Sequence, residues 1–344
     1  MTYPITAQRI VLAARPDGEP TAQDFRQESL ALQAPQAGQM LLKTLYLSLD
    51  PYMRGRMNDS KSYSPPVQLG ETMVGEVVAQ VVDSKVEGFN AGDIVLAHSG
   101  WTSHGLSNGE GVRKIDPATA PIETRLGVLG MPGFTAYAGL REIGKPRAGE
   151  TVVVAAASGP VGSLVGQLAQ RAGARAVGIA GGVEKCAFVK DVLGFDVVID
   201  HRAEDFVDQL ATACPDGIDV YFENVGGPIW QAVFPLLNQF ARVPVCGLIA
   251  DYNGTSTTDA GLSVAGLMRG ILTRSITLRG FINYDLNHCF PDFIREIAPA
   301  IKNGEIKHLE DVVDGLENSP QTFIGMLKGR NFGKVLIKVA DAFR

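Results

Sequence analysis

Cysteine is scarce in this chain: Cys186, Cys214, Cys246 and Cys289 are the four among 344 residues. They stand far apart and no two have C-x-x-C spacing. That argues against a structural zinc and against a disulfide framework. Positive charge is also in deficit, with 31 Lys and Arg against 37 Asp and Glu and a formal net charge of −6. A basic footprint for nucleic acid is therefore missing. No apolar run approaches the length of about 18 residues expected of a membrane span. The N-terminal stretch MTYPITAQRIVLAARPDG has neither the apolar centre nor the cleavage signal of an export leader. With free thiols expected, this reads as a protein of a reducing cytoplasm.

What is present describes a globular chain of about two domains. Hydrophobic residues make up 45%, and there are 39 glycines in 344 residues, above the usual frequency of about 7%. The centre of organisation is Thr151 to Ser163, TVVVAAASGPVGS. Thr151 to Ala156 is a short apolar run, as expected of a parallel strand covered on both faces. Gly159, Pro160 and Gly162 follow, and then the helical period of Val161 to Ala172. Pro160 suits a first helical turn, where its missing N–H is no loss. The spacing Ala156-x-x-Gly159-x-x-Gly162 is a variant of the dinucleotide fingerprint with Ala in the first place. Gly159 would let phosphate approach the backbone at the helix N-terminus, and Gly162 would let helix and strand pack closely.

The next strand decides which dinucleotide. Arg175 to Ala180 ends at Gly181-Gly182-Val183, where a site for NAD would carry an acidic residue for the ribose 2′-hydroxyl. Lys185 follows one turn later, and His201-Arg202 follows the third strand, Val197 to Asp200. Room without a carboxylate, and cations beside it, point to the 2′-phosphate of NADP.

Before about residue 125, short β-type runs alternate with turn clusters: Gln39 to Leu47, Thr72 to Val82 and Asp93 to Ala97. These suggest a barrel or sandwich. Afterwards helix and strand alternate, with a helix over Thr135 to Ile143 and strands at Ile218 to Phe222, Ala241 to Val245 and Ile276 to Phe281. That rhythm predicts a doubly wound parallel sheet with right-handed crossovers. Gly333 to Val339 is strand-like again and is expected to pair with the first unit. The expected division is 1–125 with 310–344, and 126–309. At the carboxyl ends of parallel strands, where such sheets bind ligands, lie Asn224, Tyr252 and Asn283.

Together Leu47 to Met57 (LSLDPYMRGRM), Gly130 to Tyr137 (GMPGFTAY), Ala155 to Gly162 (AAASGPVG), Glu184 to Cys186 (EKC), Phe222 to Gly227 (FENVGG), Val245 to Asn253 (VCGLIADYN) and Asn331 to Lys334 (NFGK) resemble the zinc-independent medium-chain dehydrogenase/reductases. Within that superfamily they look like the leukotriene 12-hydroxydehydrogenase/prostaglandin reductase, 2-alkenal reductase and bacterial curcumin reductase group. The resemblance implies an α/β Rossmann domain plus a GroES-like β-barrel domain, NADP as cofactor, a homodimer, and reduction of the C=C bond of α,β-unsaturated ketones and aldehydes. It implies that Gly159, Val161 and Gly162 meet the pyrophosphate, and Lys185 the 2′-phosphate with His201 or Arg202 beside it. Asn224, Cys246, Gly247 and Tyr252 would face the cofactor, Phe281 and Asn283 on the sixth strand would lie near the nicotinamide, and Asn331 would reach back to it.

Two departures stand out. Zinc-dependent relatives carry Gly-His-Glu where this chain has Gly70-Glu71-Thr72, and His98 and His104 have no cysteine near them. No metal is therefore expected, either at the reaction centre or elsewhere in the chain. His201 stands where prostaglandin reductases have Tyr. Without zinc, a hydrogen-bond donor must stabilise charge on the substrate carbonyl oxygen. Tyr252, then Tyr52, then Tyr284 are the candidates, with the cofactor's ribose hydroxyl as the other source. Competing readings are a zinc alcohol dehydrogenase, a quinone reductase of the same fold, and an NADPH-binding protein without turnover. The loops Asn58 to Pro66 and Asp251 to Gly266 are expected to set the substrate.

Overall fold

The computed structural model describes residues 2–254 and 263–342. Two compact units divide the chain, 1–126 with 310–344, and 127–309. Among the described residues, no helix is long and apolar enough to cross a membrane.

The first unit contains β1 (Ile5–Leu12), β2 (Phe25–Leu32), β3 (Met40–Ser48), β4 (Val77–Ser84), β5 (Ile94–Ala97), β6 (His104–Ser107) and β7 (Arg113–Lys114). It closes with β14 (Glu310–Asp314) and β15 (Lys334–Lys338) from the end of the chain. The main sheet runs β14-β15-β3-β4-β5-β7, with β6 paired to β3 and with β1-β2 forming a separate pair. The returning strand β15 pairs antiparallel with β3, Leu336 opposite Ser48.

A bulge organises this core. Opposite β4, Thr44 faces Ala79 and Tyr46 faces Val78, so Leu45 is the extra residue. One extra residue inverts the inward parity of a strand. Met40 and Leu42 point into the main core before the bulge, and Leu47 and Leu49 do so after it. Leu45 instead joins a second cluster with Val78, Leu96 and Leu336. The strand expected from Thr72 begins only at Val77. Before that, the backbone is committed elsewhere: Met73 N–H donates to Ile10 O, and Met73 O accepts from Trp101 N–H.

A buried ion pair ties the return segment to the LDPYMR stretch. Lys334 Nζ lies 2.6 Å from Asp50 Oδ1 and donates to Leu49 O at 2.9 Å. Ser48 Oγ donates to the other oxygen of the same carboxylate. Lys334 is 2% exposed and Asp50 4%.

The second unit holds β8 (Thr151–Ala155), β9 (Arg175–Ala180), β10 (Val197–Asp200), β11 (Ile218–Phe222), β12 (Leu237–Val245) and β13 (Thr277–Gly280). Their order is β10-β9-β8-β11-β12-β13, and every pairing is parallel. This is the Rossmann order, in which the chain reverses direction across the sheet between β8 and β11 and leaves a crevice at their carboxyl ends. All five residues of β8 are buried, which explains its unbroken apolar run. The helix expected from Thr135 starts earlier, at Met131, because Pro132 fits its first turn.

Removing one member of a buried ion pair strands the other charge. Lys334→Ala is expected to lower stability by about 3–5 kcal/mol. Lys334→Met combined with Asp50→Leu should recover most of that loss. Urea unfolding followed by Trp101 fluorescence, in a Trp230→Phe background, measures both.

Candidate active site

At the carboxyl end of β8 the chain turns into the helix Gly162–Arg171. Ala156 holds φ at +51° in the place usually given to glycine, a left-handed conformation that costs an L-residue about 1–2 kcal/mol. A Cβ at Gly162 would come within 2.4 Å of Ala156 O and 2.8 Å of Ala157 Cα, so only glycine lets the helix start this close. Ser163 N–H already donates to Gly159 O with helical reach. Pro160 thus precedes the assigned helix while occupying a turn where no N–H is needed. Among the described residues, the N–H groups of Val161 and Gly162 donate to no protein acceptor. Two free donors at a helix N-terminus are an anion site.

Beside it, the ends of β9 and β10 form a cationic cradle. A Cβ at Gly181 would meet His201 Nε2 at 2.7 Å and Arg202 Nε at 3.1 Å, and one at Gly182 would meet an Arg202 terminal nitrogen at 3.3 Å. Both side chains therefore fold back over the glycine pair. Asp200 would oppose a phosphate, but its Oδ1 accepts from Gly182 N–H at 3.0 Å and Arg202 N–H at 2.9 Å. Burial pushes its carboxyl up; those two bonds, with His201 and Arg202 alongside, outweigh burial and hold it below its usual range. Burial first, then Arg202, lower the His201 imidazole, which stays neutral at pH 7. Lys185 is half-buried on the short helix Val183–Ala187 and lies near enough to His201 to act on its charge. These groups fit a 2′-phosphoryl group, and the donors at Val161 and Gly162 fit a pyrophosphate.

Across the crevice, Asn224 does more than shape a turn. Its Nδ2 donates to Ala155 O at 2.8 Å, and its Oδ1 accepts from Cys246 Sγ at 2.9 Å, strapping the ends of β8, β11 and β12 together. Burial drives the Cys246 thiol far up, so it remains a thiol and a packing group. Gly247 follows, and a Cβ there would stand 3.4 Å from the Tyr252 hydroxyl. That hydroxyl accepts from Leu248 N–H at 3.4 Å, which holds Tyr252 over the end of β12.

Sequence reasoning missed Glu223. It is 2% exposed, and its Oε1 accepts from Tyr221 OH at 3.1 Å and from the N–H groups of Val225 and Gly226 at 2.7 and 2.8 Å. Its Oε2 has no partner among the described residues, and burial raises its carboxyl above the usual range. A carboxylate beside the Asn-Val-Gly-Gly turn is the signal that could have found it.

The bounds of the expected sixth strand need correction. Phe281 and Asn283 lie beyond β13, which ends at Gly280. The Phe281 ring turns into the core, edge-on to Phe222 at 6.4 Å and packed against Gly139. Asn283 opens a 3-10 helix, Asn283–Cys289, and is half-buried. In the first unit, Asn331 donates its amide to Gly333 O at 2.9 Å, a local turn contact. Tyr52 opens the helix Tyr52–Arg56 and packs on the main core. Burial first, then Asp50 and Glu76, keep its phenol protonated. Tyr284 is 49% exposed, on the same 3-10 helix as Asn283. Residues 255–262 of the expected substrate loop lie outside the described residues.

Known proteins resemble this chain in sequence and fold. Family profiles described as "N-terminal domain of oxidoreductase" and "Zinc-binding dehydrogenase" match residues 8–115 and 160–299. The NADPH-dependent curcumin reductase of Escherichia coli is 53% identical over 334 residues, 97% of each chain. The chain belongs to the medium-chain dehydrogenase/reductase family. Prostaglandin reductase 1 of Bos taurus is 41% identical over 93% of this chain and 95% of its own. The crystal structure of CurA from Vibrio vulnificus in complex with NADPH superposes with a TM-score of 0.93 at 49% identity, covering 97% of this chain and 99% of that one.

The cradle predicts a selective effect. Lys185→Ala and Arg202→Ala should each weaken NADPH by about 1.5–3 kcal/mol, the worth of a charge-assisted bond, and leave NADH affinity unchanged. Fluorescence titration with both dinucleotides measures this; equal loss for both would mean the side chain does not reach the 2′-phosphate.

Proposed function

We propose that this protein is an NADPH-dependent reductase of carbon–carbon double bonds conjugated to a ketone or aldehyde. The observation that carries this reading is its 53% identity to a curcumin reductase over 97% of both chains. The glycine-lined cationic cradle at Gly181-Gly182 supports the NADPH half of it.

When bound, the dinucleotide supplies the hydride for the β-carbon of the enone. The chain's own task is to hold it. Val161 and Gly162 offer N–H groups to the pyrophosphate, and Lys185, His201 and Arg202 select the 2′-phosphate. Asn224 keeps the strand ends in register. As charge builds on the carbonyl oxygen, the Tyr252 O–H donates to it. The Leu248 N–H that this oxygen accepts increases its strength as a donor. Tyr52, with its half-buried phenol held protonated, is the alternative donor and proton source for the α-carbon. No catalytic metal is used; Gly70-Glu71-Thr72 lacks the histidine of the zinc-dependent motif. Four free cysteines accord with work in a reducing cytoplasm.

An NADPH-oxidation screen over alkenals, enones, curcumin-like diketones and quinones tests the activity. Turnover of enones with a saturated product is the expected outcome; turnover of quinones alone, or none, would overturn it. Tyr252→Phe should lower kcat by roughly a hundredfold, with little change in KM or NADPH affinity, because the lost bond belongs to the transition state. A larger loss in Tyr52→Phe would exchange the two roles.

The protein acts as a homodimer joined through β13. That strand ends the sheet and all four of its residues are exposed, a liability that pairing with a second copy removes. Light scattering at micromolar concentration should give twice the chain mass, and a monomer mass would rule this out.

A further inference from the structure

The reaction leaves one cluster of donor side chains unused. Glu142 lies on the helical turn Leu140–Gly144, and His288 and Cys289 end the 3-10 helix Asn283–Cys289. One ligand atom of each lies within 4.8 Å of the other two, the sole group of three such donors among the described residues. Cys289 Sγ already donates to Glu142 Oε1 at 3.5 Å. Cys289 is 2% exposed, whereas Glu142 is half-buried and His288 exposed, so the cluster opens to solvent on one side. None of the three belongs to the cofactor cradle or carries a step of the proposed reduction.

We propose that Glu142, His288 and Cys289 form a zinc site separate from the reaction centre. Thiolate, imidazole and carboxylate together suit a borderline-soft divalent cation, and a fourth position on the open side takes water. Tetrahedral zinc with bonds of about 2.0–2.3 Å sets its ligands roughly 3.3–3.8 Å apart. The Cys289–Glu142 separation already matches. The exposed His288 side chain can close the remaining gap by rotation. The nearest cation is Arg141, whose Nε stands 3.8 Å from Glu142 Oε1. That contact is a long ion pair, and the closer partners of the guanidinium are Asp292 at 2.8 Å and the Tyr137 hydroxyl at 2.5 Å. Asp292 adds negative potential on the same side. On binding, the Cys289 S–H bond breaks, its proton leaves to solvent and a zinc–sulfur bond forms, with no change of oxidation state. The ion would clamp the Leu140–Gly144 turn to the helix that Asn283 opens.

The test is titration of chelator-stripped protein with Co2+, followed by displacement with Zn2+. One equivalent should produce a thiolate-to-cobalt charge-transfer absorption that zinc abolishes. Cys289→Ser should lose the absorption, and His288→Ala should weaken binding by at least about tenfold. NADPH turnover by the stripped protein should be the same in wild type and both variants. Absence of the absorption at millimolar Co2+, or its survival in Cys289→Ser, would overturn the site. Should Cys289→Ser fail to fold, unchanged Co2+ affinity in the surface variant His288→Ala overturns it equally.

Discussion

A methyl group has no room at Gly162. The helix that begins there stands so close to the end of β8 that a Cβ would press into the carbonyl of Ala156. Much of the second unit follows from that approach. It brings the helix N-terminus over the sheet edge, where the N–H groups of Val161 and Gly162 face outward without acceptors. It also forces the preceding backbone through a tight reversal, which Ala156 makes at a positive φ. The strain at one residue is small against the burial of five strand residues behind it and the packing of Gly166 against Phe195. The anion site is thus a consequence of packing, since free donors remain wherever a helix starts hard against a sheet.

The opposite wall of the crevice works by different physics. Asn224, Cys246 and Glu223 are polar or ionisable, yet most of their hydrogen-bonding capacity is spent inside the protein. A bond in low dielectric is strong and an unmade one is expensive, so such a network fixes one arrangement of the strand ends. The unpartnered Oε2 of Glu223 is the exception. Burial raises that carboxyl toward its neutral form, which lessens the penalty of a buried charge.

In the first unit the pinning contact is the pair Asp50 and Lys334. It joins the segment leading into Tyr52 to a strand that arrives 284 residues later. Because both groups are almost fully buried, neither can leave without stranding the other. Tyr52 therefore stands on a short helix whose approach is fixed by charge and by the hydrophobic core together.

Local chemistry was legible from the chain alone. The valine run, the two glycines and the following helical period determined a strand, a turn and a helix, since those signals lie within about 20 residues of one another. The glycine pair in place of a carboxylate at the very end of β9, and the cations beyond it, determined the character of the cradle. What only the tertiary structure decided rests on contacts between distant residues. The bulge at Leu45 inverts the inward face of β3, and no alternation in the sequence marks it. Phe281 points inward because Phe222 and Gly139 leave a slot for its ring. Glu142 meets His288 and Cys289 only because two helical turns, remote in sequence, are packed together by the fold. Periodicity reports which face of an element is apolar; it carries no information about which distant side chain will fill the space opposite.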